Sequence, residues 1–258
     1  MGGVLRHETI GPRAVLTIDD PDRRNPLSTA VMRGLVDGVR QAARDDAVRV
    51  IVVTGAGDKA FCAGGDLSGD FVDDPLGDHD ARGAIADLFR VMRRCGKPTI
   101  ARVNGHALAG GFGLAAACDI VIAVDDATFG TPEIRVGLWP MMIGAVLQRL
   151  MPRRAAFEMM MTGRRIDAGE AHRLGVVSRV VPRDVLDQAV DETVAAIVAT
   201  SPAIVSLGKS AFYAVEDMPL DAALDHLQTG LTAVAATDDG QEGVAAFMEK
   251  RDPVWRGR

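Results

Sequence analysis

The chain has 258 residues, 48% hydrophobic and 25% charged, a balance that excludes a disordered or collagen-like polymer and supplies apolar mass for a sizeable core. Twenty-nine basic against 35 acidic side chains leave a net charge of −6, which argues against a nucleic-acid binder. With 4% aromatic residues, packing falls to aliphatic side chains; three cysteines (Cys62, Cys95, Cys118) and five histidines, none at ligand spacing, argue against a metal site or a disulfide framework.

In chain order, alternation at residues 14–18 predicts a strand, closed by the turn cluster Asp19-Asp20-Pro21-Asp22. Ser28 is placed to cap a helix over 29–43, with Val31, Leu35 and Val39 at helical spacing. Residues 48–54 are a short β-branched apolar run, hence a buried strand, and 55–69 are glycine-rich and irregular. An acidic, solvated loop covers 70–80, a helix 81–94, a strand 99–103, a small-residue helix 112–118 and a further strand 120–124. From Met141 helical patterns dominate, interrupted by one strand at 176–181. The expected division is a core of residues 1–200 and a helical C-terminal segment, 201–258. The N-terminal region lacks the apolar stretch of a signal peptide, and no window reaches the roughly 18 apolar residues of a membrane span. The expectation is a cytoplasmic protein with no membrane or nucleic-acid partner.

Two glycine turns carry the chemistry. Gly55-x-Gly57-x-x-Ala60 follows a buried strand and satisfies the letter of a dinucleotide fingerprint. Its continuation, Phe61-Cys62-Ala63-Gly64-Gly65-Asp66, is a poor helix, and no acidic strand end follows at the required distance, so a plain turn is preferred over nicotinamide binding. The second turn, Asn104 to Gly113, precedes a helix and frees N–H groups at its N-terminus, a place that favours an anion or a developing oxyanion.

AFCAGGDL (60–67), VNGHALAGG (103–111), ACDIVIA, ATFGTPE, MTGRRIDAGEAHRLGVVSRVV (161–181) and TDDGQEGVAAFMEKR (237–251), in this order, resemble the crotonase superfamily, the enoyl-CoA hydratases and isomerases. The resemblance covers nearly the whole chain. It implies an α/β crotonase (ClpP/crotonase-like) fold of repeated ββα units whose sheets meet at an angle, with C-terminal helices used in trimerisation, and trimers that pair into hexamers. It implies an acyl-CoA thioester substrate, with no cofactor beyond the CoA carried by that substrate. By resemblance the N–H groups of Gly65 and Gly110 form an oxyanion hole for the thioester carbonyl. Arg23, Arg24 and the turn Ala63-Gly64-Gly65-Asp66-Leu67 lie near the CoA nucleotide, and Phe247 and Lys250 match residues that reach CoA, across a subunit boundary in some relatives.

Family hydratases use two glutamates. The later one is present as Glu133 in Phe129-Gly130-Thr131-Pro132-Glu133, whereas the position of the earlier one, three residues beyond Gly110, is Gly113. A lone carboxylate still moves a proton between two carbons of an enolate, and the pattern resembles relatives that shift a double bond from position 3 to position 2. Where hydratases have a glycine-rich PGxGG segment, this chain has Trp139-Pro140-Met141-Met142, so Gly113, Trp139 and Met141 are expected to line a dry acyl pocket. The favoured reaction is enoyl-CoA isomerisation. The alternatives are hydration, another crotonase reaction such as decarboxylation or hydrolysis, and an acyl-CoA-binding relative without activity. Helix propensity also predicts that the fold tolerates Gly113→Glu unless Trp139 or a methionine fills the space. Ala222, Leu224, Leu227, Leu231, Val234 and Ala235 give the C-terminal segment more apolar surface than it can hide alone, which predicts a cyclic oligomer.

Overall fold

The computed structural model describes residues 4–66 and 79–258. Leu67 and most of the predicted acidic loop lie outside the described residues.

The chain opens with an antiparallel hairpin, β1 (Val4–Ile10) on β2 (Arg13–Asp19), and continues into helix α1 (Thr29–Arg44). Ser28 caps α1 as its sequence suggests, its side chain accepting from the Val31 N–H at 3.2 Å. Strand β3 (Val50–Gly55) is buried at every position, as a strand covered on both faces must be. It is followed by β4 (Ala60–Cys62) and α2 (His79–Arg94), then by β5 (Thr99–Val103), β6 (His106–Leu108) and α3 (Gly110–Ala116), and then by β7 (Ile120–Val124) and β8 (Thr128–Gly130). Helices α4 (Met141–Leu150) and α5 (Arg153–Thr162), strand β9 (Arg165–Asp167), helix α6 (Ala168–Arg173) and strand β10 (Arg179–Val181) complete the sheets. Helices α7 (Leu186–Val198), α8 (Pro202–Ala214), α9 (Leu220–Ala236) and α10 (Asp238–Glu249) end the fold.

The sheet order explains the architecture. One sheet runs β1-β2-β3-β5-β7-β10, parallel after the first hairpin; a second runs β4-β6-β8-β9, parallel except for its last pair. The pairs β3–β4, β5–β6 and β7–β8 each place their first member in the large sheet and their second in the small one, which is the ββα repeat. Buried amides hold the corners. Asn25 Nδ2 donates to Ala56 O and Ala60 O at 2.9 and 2.7 Å, and Asn104 Nδ2 donates to Gly57 O at 2.7 Å. Hydrogen-bonded in this way, both asparagines sit in the interior with the cost of losing water offset. Phe61, Phe112 and Phe129 fill the space beside the small sheet, the last two with ring centroids 5.5 Å apart.

Three differences from the sequence reading stand out. Strand β1 has no clean apolar alternation because it is an edge strand with most of its side chains exposed. Strands β4, β6 and β8 span three residues each, too few for a period of two to register. The single strand expected at 176–181 is shorter, Arg179–Val181, and β9 precedes it.

Helix α8 is tied to the sheets by a buried ionic cluster. Asp119 Oδ2 accepts from Thr99 N, Thr99 Oγ1 and Lys209 Nζ at 2.6, 2.8 and 2.7 Å, and its Oδ1 accepts from the Tyr213 hydroxyl at 2.6 Å. Lys209 donates as well to Met92 O and Lys97 O. By contrast, α9 buries only Ala223, and Leu220, Leu224, Leu227 and Leu231 are exposed on the single chain. No single helix among the described residues is long and apolar enough to cross a membrane. Asp119→Ala leaves the Lys209 cation buried without its counter-charge, so urea denaturation is expected to show a loss of about 3–5 kcal/mol, and less when Lys209→Met is added.

Candidate active site

The small sheet brings the proposed donors and the acid–base residue to one end. Gly65 lies three residues past β4, Gly110 two past β6 and Glu133 three past β8, so all three follow the carboxyl ends of adjacent parallel strands. Ligands of open α/β sheets gather at such ends.

The orientation of Gly65 follows from its neighbours. Leu27 N donates to Gly64 O at 2.8 Å and Asp66 N donates to Leu27 O at 3.1 Å. These two bonds make a parallel bridge between Leu27 and Gly65, in which the N–H of Gly65 itself points away from Leu27. Gly110 lies on that other side: a Cβ built on it would sit 3.6 Å from Gly65 N. As the first residue of α3, Gly110 has no intrahelical acceptor. Among the described residues, neither of these N–H groups donates to a backbone oxygen. Helix α3 has only seven residues, so any pull on an anion here rests on the individual N–H groups of Gly65 and Gly110 rather than on a long macrodipole.

Two backbone features hold this arrangement. Gly64 has φ +105°, open to glycine and costly for other residues, and a Cβ there would lie 2.7 Å from Ala109 Cβ. Ala109 itself has φ 50° and ψ −128°, an uncommon conformation that aims α3 into the site. Its N–H is held by Gly130 O at 2.9 Å, and its carbonyl receives Phe112 N and Gly113 N. Sequence reasoning missed Ala109; an alanine between Leu108 and a glycine pair carries no signal of a left-handed φ.

Glu133 stands on the 3-10 turn Pro132–Val136, which Leu138 N closes on Glu133 O at 3.0 Å. Its Oε2 is buried with no hydrogen-bond partner among the described residues. Burial raises its pKa above the usual carboxylate range, partly opposed by its own backbone N–H. The result is a half-buried carboxyl group in which the proton is held more tightly than in water.

The expected nucleotide residues divide. Arg24 and Ala63 are joined by the Ala63 N–H donating to Arg24 O at 2.9 Å, and both line a cleft of about 530 Å³ together with Lys59, His106, Arg165 and Arg183. Asp58 and Asp126 also line it, and Arg183 is paired with Asp126 at 2.7 Å. Lys59, Arg165 and Arg183 were not anticipated, since the strands that assemble them are far apart in sequence. Arg23 pairs with Asp66 at 2.8 Å and so ties the first turn to the Gly65 turn. Phe247, 81% exposed, and Lys250, in a left-handed conformation after α10, do not line the cleft.

The expected pocket wall needs correction. Trp139 packs on Phe157, ring centroids 6.3 Å apart, but Met141 is 69% exposed and does not wall a pocket in the single chain. The inward residue of this stretch is Ile143, 4% exposed, which the sequence reading passed over. Gly113 is fully covered: a Cβ on it would lie 2.7 Å from Ile143 Cβ, closer still to the Ile143 Cγ2 methyl, and 3.2 Å from Phe89 Cζ. The expectation that the fold tolerates Gly113→Glu is therefore overturned, and the obstacle is Ile143 with Phe89, not Trp139 or a methionine.

Similarity to known proteins agrees with this geometry. The family described as Enoyl-CoA hydratase/isomerase matches residues 11–258. The chain belongs to that family. It is 35% identical over 257 residues to the carnitinyl-CoA dehydratase of Citrobacter koseri, covering 96% of each chain. An enoyl-CoA hydratase structure from Mycobacterium smegmatis superposes with a TM-score of 0.93 at 35% identity, over 97% of this chain and 98% of that one. The human enoyl Coenzyme A hydratase domain-containing protein 3 superposes with a TM-score of 0.93 at 33% identity, over 97% and 99%. The fold is thus the crotonase fold, and the protein is an acyl-CoA enzyme of the hydratase/isomerase family.

The raised pKa of Glu133 has a consequence for stability. The native state favours its protonated form, so the stability linked to it is full below the ordinary glutamate range and is lost as pH rises through the raised native value. Glu133→Gln removes that titration. Denaturation curves from pH 4 to 8 are expected to show the variant gaining on the wild type as pH rises; a difference independent of pH counts against a perturbed carboxyl at 133.

Proposed function

We propose that this enzyme isomerises an enoyl-CoA, moving the double bond from position 3 to position 2 with Glu133 as the one acid–base group. The observation that carries the reading is the sealed position 113. Family hydratases have their earlier glutamate there, and here it is glycine covered by Ile143 and Phe89.

In the proposed reaction the thioester oxygen accepts the N–H groups of Gly65 and Gly110. The Glu133 carboxylate takes a proton from C2; the C2–H electron pair enters the thioester as an enolate whose oxygen the two donors stabilise. The electrons return to form C2=C3, the C3=C4 pair moves to C4, and C4 takes the proton from Glu133. No atom is gained or lost and no redox group is needed, so CoA is required only as part of the substrate. One such donor contributes about 3–4 kcal/mol of transition-state stabilisation. A carboxyl pKa raised by burial suits this role, since it strengthens the carboxylate as a base towards a weakly acidic C–H. The cations of Arg24, Lys59 and Arg165 along the 530 Å³ cleft support the placement of the CoA phosphates there.

A second reading is favoured by the names of the relatives, carnitinyl-CoA dehydratase and enoyl-CoA hydratase, which point to addition or loss of water. One substrate pair separates the two. Isomerisation of a 3-enoyl-CoA leaves its mass unchanged, whereas hydration of a 2-enoyl-CoA adds one water. The isomerase reading expects fast conversion of the former and little hydration of the latter; efficient hydration by the wild type overturns it. Glu133→Gln is expected to lower turnover about 10²–10⁴-fold while the CoA ester still binds, and undiminished turnover removes Glu133 from the mechanism.

The exposed apolar side chains of α9, with Phe247 and Met248 of α10, support assembly into a trimer or a pair of trimers. In such an assembly Phe247 and Lys250 would serve a neighbouring subunit's CoA, consistent with neither lining the cleft of its own chain. Sedimentation at micromolar concentration is expected to show a trimer or hexamer, and a stable monomer would count against this assembly.

A further inference from the structure

Gly113 and Ile143 meet between α3 and α4. Glycine is a poor helix former, yet Gly113 sits inside the seven-residue α3, and the reason is spatial: the methyl and Cβ of Ile143 occupy the place of any side chain at 113. Ile143 points inward while its neighbours Met141 and Met142 face outward. Being β-branched, it has essentially one helical rotamer and does not swing aside. Phe89 touches the same spot only with its ring edge, at 3.2 Å. Read from Pro140 against the PGxGG pattern of hydratases, Ile143 falls on a glycine, so this chain has Gly and Ile where those relatives have Glu and Gly.

We propose that Ile143 is a specificity-determining residue: it fills the volume beside α3 that a carboxylate at 113 needs, and thereby confines the site to one acid–base group. The inference rests on the single-glutamate reading above. It also makes the two positions interdependent, because a carboxylate at 113 requires that residue 143 lack both its branch and its Cβ.

The test uses the full chain with Gly113→Glu, Ile143→Gly, Gly113→Glu/Ile143→Ala and Gly113→Glu/Ile143→Gly, read by thermal unfolding and by product mass on 2-enoyl- and 3-enoyl-CoA. Gly113→Glu alone is expected to lose the folded state or to melt far below the wild type. Adding Ile143→Gly restores most of that loss. Ile143→Ala restores less, because its Cβ stays 2.7 Å from the new one. The folded Gly113→Glu/Ile143→Gly protein is expected to hydrate 2-enoyl-CoA at least about 100-fold faster than Ile143→Gly, the scale of an added acid–base group. Equal rescue by alanine and glycine, or no rescue, overturns Ile143 as the filler of this space and leaves the single-glutamate reading standing. A rescued protein that binds the ester without hydrating it overturns the specificity role. Efficient hydration by the wild type instead overturns the single-glutamate reading, and the specificity role with it, while the stability rescue persists.

Discussion

A Cβ on Gly64 would lie 2.7 Å from Ala109 Cβ, and the rest of the site depends on that close approach. It brings the segment after β4 against the entry of α3, and only with the two in contact do Gly65 and Gly110 lie side by side, a Cβ on Gly110 being 3.6 Å from Gly65 N. The arrangement asks for a glycine at φ +105° on one side and an alanine at φ 50° on the other. A non-glycine residue in such a conformation costs on the order of 1–3 kcal/mol, which the surrounding structure must offset. The offsetting contacts are visible: Gly130 O on the Ala109 N–H, Phe112 and Gly113 N–H groups on the Ala109 carbonyl, and the Leu27 bridge on either side of Gly65. The backbone at the two proposed donors is thus held by the protein's own contacts, and preorganised hydrogen bonds obtain their catalytic value in this way.

The same corner geometry places the cleft proposed for the CoA phosphates beside the proposed carbonyl site. Ala63, whose N–H is tied to Arg24 O, lines the cleft, and two residues later Gly65 offers its N–H to the other side. In the proposed binding mode the anionic end and the thioester end of one ligand would lie along residues 63–65, which Gly64 turns at φ +105°. The Arg23–Asp66 ion pair braces that segment from the first turn of the chain.

Much of this was legible in the sequence, for physical reasons that also mark where legibility ends. The long buried strands β3, β5 and β7 and the amphipathic α1 announce themselves because each satisfies a local periodicity over five or more residues. The glycine turns around Gly65 and Gly110 were readable because flexible backbone next to a strand is chemically conspicuous. The three-residue strands of the small sheet were not, since their pairing is decided by partners 20 to 50 residues away. Ile143 escaped for a related reason. Within its own helix it is one apolar residue among several; its importance is its contact with a glycine of α3, a non-local fact. Helix propensity at Gly113 pointed the other way, and tertiary packing overruled it.

That packing also bears on the charge the pocket must carry. In the proposed isomerisation Glu133 is ionised before reaction and neutral once it has taken the C2 proton, while the enolate oxygen gains the negative charge that the carboxylate gives up. One negative charge moves from Glu133 to the oxyanion donors and back, and the pocket never holds two. A half-buried site tolerates such a transfer because each location has its own means of bearing the charge: two N–H groups at the oxygen, and at Glu133 an environment that already favours the proton. A second carboxylate beside α3 would place a like charge in the same desolvated space, where one of the two groups would stay protonated or water would have to enter to screen them. Ile143 supplies neither charge nor water at that spot, which suits the proposed transfer of one proton between two carbons.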